Sequence, residues 1–185
     1  MKGIRRLLIA VTLATVMLLS SVVPAMAATT ADVTITATPE FLSLTNDSGN
    51  WAIGAIAEAA TVYFTADAEV PAEPLADGDM KGTLTNGGSV TSDIDIKCAN
   101  FTGGVGWTLS ADDSPGEDEV NLRAGITGMA NLAAMIQVVN ADTELVDSLA
   151  AAGTMKWCMI LEAGTFTDGV AKSGTVTLTI SKHVA

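Results

Sequence analysis

Histidine occurs once in this chain, at position 183, and that scarcity removes whole classes of chemistry. A Ser-His-Asp or Cys-His relay needs an imidazole held within a fold, and a residue this close to the C-terminus sits where chains fray. A His-rich zinc site is excluded on the same ground. Aromatic residues make up 4% of the chain, which leaves Trp51, Tyr63 and Phe166 for any concave row on which a glycan could stack. Basic residues are also few, nine against 21 acidic ones. A field of that sign repels nucleic-acid phosphates and anionic lipid, so neither is an expected partner. It also favours solubility.

Hydrophobic residues are plentiful, and the longest apolar run opens the chain. Lys2, Arg5 and Arg6 precede Leu7 to Leu19, and Pro24 stands just before Ala25-Met26-Ala27. A charged start, an apolar run and a small-x-small end predict a secretory signal peptide over residues 1–27. Removing it takes away three basic residues and no acidic ones, leaving six against 21 in residues 28–185. That remainder is the length of one domain and can bury a core. It holds no second run long enough to span a bilayer.

The stretch that organises the remainder is Ser92 to Ser110. Asp93, Asp95 and Lys97 alternate with Ile94, Ile96 and Cys98, the period of a strand with one wet face. A bend at Gly103, Gly104 and Gly106 follows, and Trp107-Thr108-Leu109 resumes the alternation. Further strands are expected at 32–38, 58–65, 81–85, 120–124, 134–139, 155–161 and 175–180, several of them rich in β-branched residues. Asn86-Gly87-Gly88 predicts a tight hairpin joining Lys81–Thr85 to the organising strand. Residues 66–79, with Pro71, Pro74 and five acidic residues, read as a solvated loop. Asp142, Leu145, Val146, Leu149 and Gly153 fit one short helix near 143–151. The fold class is therefore all-β: a single antiparallel β-sandwich, Ig-like or jelly-roll, at 28–185.

Candidate sites are sparse. Asp112, Asp113, Glu117, Asp118 and Glu119 place five carboxylates in eight residues, a set that could ligate Ca²⁺, although the spacing is not that of an EF-hand. A solvated acidic loop is the plainer reading. Two cysteines in an exported chain suggest a Cys98–Cys158 disulfide. Against it, Cys98 shares a face with Ile94 and Ile96, whereas Cys158 lies opposite the face of Trp157. Asp93/Asp95 and Asp112/Asp113 could supply a glycosidase pair, yet both fall on wet positions. Asn46-Asp47-Ser48 and Asn100-Phe101-Thr102 fit the N-glycosylation pattern. The strand at 32–38 lies close to the expected new N-terminus; the plainer reading is an edge strand within its own domain, and the other is that Val33 and Ile35 insert into a neighbouring copy's sheet.

Several of these motifs occur in a familiar order: Asn86-Gly-Gly, Asp93-Ile-Asp-Ile, Phe101-Thr-Gly-Gly-Val-Gly-Trp-Thr-Leu109, Gly153-Thr-Met-Lys-Trp157, and Gly174-Thr-Val-Thr-Leu-Thr-Ile180. In that order the chain resembles the WxL surface domains of prokaryotic cells, with Trp107 and Leu109 at the Trp-x-Leu positions. The C-terminal strand, Val176 to Ile180, carries no second Trp-x-Leu. The chain is also similar, more loosely, to camelysin-like matrix filament subunits. The resemblance implies a secreted, non-enzymatic β-sandwich at the cell surface, attached without covalent bonds. Together with the residues it predicts a structural subunit of a filament, sheath or envelope whose partner is another copy of itself. The alternative is a module that binds cell-wall polymer or glycan, with Ca²⁺ assisting through residues 112–119.

Overall fold

The computed structural model describes residues 37–184. The signal peptide expected over 1–27 and the assembly residues Val33 and Ile35 lie outside that range. Ten strands are present: β1 (Leu44–Asn46), β2 (Thr61–Phe64), β3 (Gly82–Asn86), β4 (Ser92–Cys98), β5 (Thr108–Leu109), β6 (Glu119–Ile126), β7 (Ile136–Gln137), β8 (Thr143–Leu149), β9 (Thr154–Ala163) and β10 (Val176–Lys182). They form a seven-stranded sheet ordered β1-β3-β9-β6-β5, with β2 on β9 and β7 on β6, and a three-stranded sheet ordered β10-β4-β8. All pairings are antiparallel except the two-residue contact of β5 with β6. The expected all-β sandwich is observed, and among the described residues no helix is long and apolar enough to cross a membrane.

Strand β9 is the spine of the larger sheet. Its first half pairs with β3 and its second half with β2 along one edge, while β6 runs along the other. Trp157, Met159 and Leu161 project between the sheets, where they meet Ile94, Ile96 and Val146. Cys158 and Ile160 project to the opposite side, into a second cluster with Leu75, Met80 and Met135. The alternation at 155–161 thus reads correctly, and the intervening positions are apolar because they too are covered.

That cover comes from the segment expected to be a solvated loop. Leu75 is 1% exposed. Its N–H donates to the Met129 carbonyl at 2.9 Å, and its carbonyl accepts from Gly128 N–H at the same distance. The acidic residues of 66–79 occupy the solvent side of a stretch whose apolar members fold back onto the sheet.

The expected hairpin at Asn86-Gly87-Gly88 does not form. β3 lies in the seven-stranded sheet and β4 in the three-stranded one, so the connection crosses between layers. Neither glycine adopts the positive φ of a tight hairpin turn. The Asn86 side chain makes the corner instead. Fully buried, its Nδ2 donates to the carbonyls of Val90, Leu149 and Ala150 at 2.8, 3.0 and 3.1 Å, and its Oδ1 accepts from Gly88 N–H at 2.9 Å.

The expected helix near 143–151 is also corrected: the segment is strand β8. Against β4, Thr143 and Glu144 pair with Ile96 and Asp95, then Val146 with Ile94 and Leu149 with Ser92. Two register shifts insert extra residues into β8, which places Leu145, Val146 and Leu149 all in the core. Bulges break the period of two and leave apolar residues at spacings that imitate a helix face.

The Cys98–Cys158 disulfide is not formed. Both thiols are free and buried, Cys98 in the inter-sheet cluster and Cys158 in the outer one. The seven-stranded sheet separates them, and burial pushes each thiol up to about 11. Native protein should therefore resist alkylation at neutral pH and show an unchanged melting temperature in reductant, with two thiols titrating per chain after denaturation. The inter-sheet corner gives a second prediction. Asn86→Ala should cost about 2–4 kcal/mol by stranding buried carbonyls, whereas Gly87→Ala should cost less than about 1 kcal/mol because no positive φ is required there. Chemical denaturation measures both.

Candidate assembly groove

The two layers are unequal, and among the described residues the small sheet is packed less completely on its β10 side. Strand β10 is an edge of the small sheet: it pairs with β4, and no described strand pairs with its other side. On β4 the inward residues Ile94, Ile96 and Cys98 are 0% exposed. On β10 the inward residues Val176, Leu178 and Ile180 are half-buried, while Thr177 and Thr179 face solvent as the alternation predicts. On the far edge, β8 contributes Leu145, Val146 and Leu149 as fully packed residues. Among the described residues, the sandwich is closed at β8 and open at β10.

The open side is a groove of about 1110 Å³. Phe64, Trp157 and Met159 of the large sheet form its floor, and Val176 and Leu178 form its wall on the small one. One rim is the segment 51–56, where Trp51 packs on Phe64 with ring centroids 5.2 Å apart. The floor is held in place by a close approach. Trp157 Nε1 donates to Asn46 Oδ1 at 3.1 Å, passing where a Cβ on Gly82 would stand.

One end of the groove is an aromatic stack built by the glycine bend. Gly103 and Gly104 take φ of +116° and +54°, and this turns the chain so that Phe101 and Trp107 bridge each other. Phe166 stacks on Trp107 at 4.6 Å and 15°, and Phe101 leans on it at 5.9 Å and 46°. The Lys172 ammonium lies 6.0 Å from the Trp107 ring centre, its side chain 2% exposed, and it is ion-paired with Asp168. Asp168 also accepts from Val105 N–H at 2.7 Å and Val170 N–H at 2.9 Å. Lys172 first, then these two amides, lower the Asp168 carboxyl to about 2. Val105 and Val170, either side of this clasp, are 65% and 53% exposed.

The residues singled out in the sequence are distributed as follows. Trp107 and Leu109 belong to the packing at this end of the groove: Trp107 is engaged by Phe166 and Phe101, and Leu109 pairs with Val120. Trp51, Tyr63 and Phe166 do not form one row, since Tyr63 packs in the outer cluster on the opposite face of the large sheet. The five acidic residues of 112–119 diverge. Asp112 and Asp113 line a shallow surface hollow with Arg123 and Gln137. Asp118 is taken up by the Thr167 amide and hydroxyl, and Glu119 by Gly116 N–H at 2.8 Å. No three of them bring ligand atoms together among the described residues. Asp93 and Asp95 lie on the outer face of β4, away from the groove. The Asp168–Lys172 clasp went unread in the sequence, where its four-residue spacing was the available signal.

No protein-family model, curated protein or solved structure matches this chain.

The clasp makes a pH prediction. Asp168 has a lowered carboxyl in the folded state, so its contribution is complete above about pH 4 and is lost as pH falls toward about 2. Carboxyl-detected NMR should place its midpoint near 2, and Lys172→Met should move that midpoint up toward 3.8. A midpoint that stays put in the variant would remove Lys172 as the main cause.

Proposed function

We propose that this protein is a non-enzymatic structural subunit of the cell surface that assembles copy to copy by β-strand addition along β10. The observation that carries the reading is the contrast between β4, whose inward residues are fully covered, and β10, whose inward residues are half-covered beside a groove floored by apolar side chains and rimmed by polar ones. A strand laid against that edge would satisfy its main-chain donors and acceptors, and alternate side chains would fill the groove. The occupant we assign is residues 32–38 of a second copy. Their sequence, Asp-Val-Thr-Ile-Thr-Ala-Thr, alternates with the required period, and Val33 and Ile35 supply the apolar side. Six basic against 21 acidic residues in 28–185 make copies repel at low salt, so association should strengthen as ionic strength rises. The resemblance to surface and filament proteins points the same way, and the expected signal peptide would deliver the chain outside the cytoplasm.

The test is negative-stain electron microscopy of protein lacking residues 1–27, at low and high salt, with and without Ca²⁺. Ordered filaments or sheets are expected, favoured by salt and indifferent to Ca²⁺. Deleting 28–38, or replacing Leu178 by Lys in the acceptor groove, should each abolish them, and mixing the two defective proteins should give at most heterodimers. Monodisperse particles under every condition would sink self-assembly, and pull-down on cell-wall and glycan preparations would then decide the alternative.

A further inference from the structure

The outer face of the three-stranded sheet, on the side away from the groove, gathers the chain's one histidine between two carboxylates. His183 follows β10, Asp93 is on β4 and Asp147 is on β8. His183 Nδ1 lies 2.7 Å from Asp93 Oδ1 and 3.2 Å from Asp147 Oδ1. Ligand atoms of the three residues all fall within 4.8 Å of one another, an arrangement no other trio of His, Cys, Asp or Glu attains among the described residues.

The fold builds this cluster at a β-bulge. With Ser92 opposite Leu149 and Ile94 opposite Val146, Asp93 alone faces both Asp147 and Ser148. Ser148 takes a positive φ of 54° and donates its N–H to Asp93 Oδ1 at 2.9 Å, which directs the exposed Asp147 to the same side as Asp93. His183 is held by its own backbone N–H, which donates to the Thr91 carbonyl at 3.0 Å.

Two features call for a cation there. A neutral imidazole carries at most one proton on Nδ1, and a single proton cannot serve two carboxylates as a full hydrogen bond to each. The surrounding face is also short of positive charge. Asp95 stands directly opposite Glu144 across the β4–β8 pair, an unfavourable like-charge contact. The nearby cations are already engaged, Lys97 by Asp142 and Lys182 by Glu40.

We infer that Asp93, Asp147 and His183 form a divalent-cation site of the Zn²⁺ class, completed by water, which joins the three strands of the small sheet. One imidazole nitrogen with two carboxylate oxygens suits Zn²⁺ and similar borderline ions, whereas Ca²⁺ takes oxygen ligands. Bonds of about 2.1 Å at tetrahedral or octahedral angles put ligand atoms roughly 3.0–3.4 Å apart. The Asp147 separation meets that range, and Asp93 needs to open by a few tenths of an ångström. The site is independent of the groove and of self-assembly.

The experiment is a Zn²⁺ titration of the untagged protein, followed by calorimetry and by NMR of the imidazole nitrogens, which a sole histidine makes unambiguous. One Zn²⁺ per chain is expected, with Nδ1 shifting on binding, a higher melting temperature, and no displacement by equimolar Ca²⁺. His183→Ala and Asp147→Asn each alter a residue at the sheet surface and should weaken binding more than ~100-fold, beyond the roughly 10–100-fold cost of losing an outer-shell partner. Absence of binding, binding by either variant as tight as that of the unaltered protein, or binding that leaves the His183 ring signals unmoved would overturn the inference and leave a hydrogen-bonded His–Asp clasp.

Discussion

The structure depends on one strand being buried on both faces. Ten residues of β9 carry Trp157, Met159 and Leu161 into the space between the sheets and Cys158 and Ile160 into a second cluster outside. Each apolar side chain removed from water contributes on the order of 1.5–3 kcal/mol, so a strand loaded on both sides anchors more of the fold than any of its neighbours. It also demands cover on both sides. The small sheet covers one face, and the segments carrying Leu75 and Met135 cover the other.

The open groove follows from how that demand is met. Three strands cannot cover a seven-stranded layer, and the packing is concentrated at β4 and β8, whose inward residues are sealed. The deficit falls on β10, an edge strand with half-buried apolar residues. The aromatic stack of Phe101, Trp107 and Phe166, beside the Asp168–Lys172 pair, lines one end of the groove. Sheet edges are the usual place for strand addition, because their main-chain groups are already arrayed for pairing. The same small sheet carries its charge on the outside, where the β8 bulge collects Asp93, Asp147 and His183.

Much of the fold was legible in the residue pattern. The alternations at 92–98, 155–161 and 175–180 are strands with the faces they imply. Three features misled for identifiable reasons. Asn86-Gly87 reads as a hairpin because the dipeptide favours positive φ, but the buried carboxamide of Asn86 satisfies carbonyls 63 and 64 residues away and turns the chain between layers. Leu145, Val146 and Leu149 read as a helix face because two bulges altered the strand period. Residues 66–79 read as solvated because their acidic members outnumber the apolar ones that pack. Of the candidate site, Trp107 and the glycine bend were visible, while the groove was not, since its floor and wall come from strands far apart in the chain.

Alternation determined, from the sequence by itself, which segments are strands and which of their faces are apolar. The backbone places successive side chains on opposite sides whatever the partner, so that information is local. The sequence also determined that an acidic chain with one histidine is poorly supplied for relay chemistry or phosphate binding. Only the tertiary structure decided which strands share a sheet, that a whole sheet stands between Cys98 and Cys158, that no described strand pairs with the outer edge of β10, and that His183 meets two carboxylates. Those outcomes rest on contacts between residues tens of positions apart, and on the competition among strands to cover β9, which no window of sequence contains.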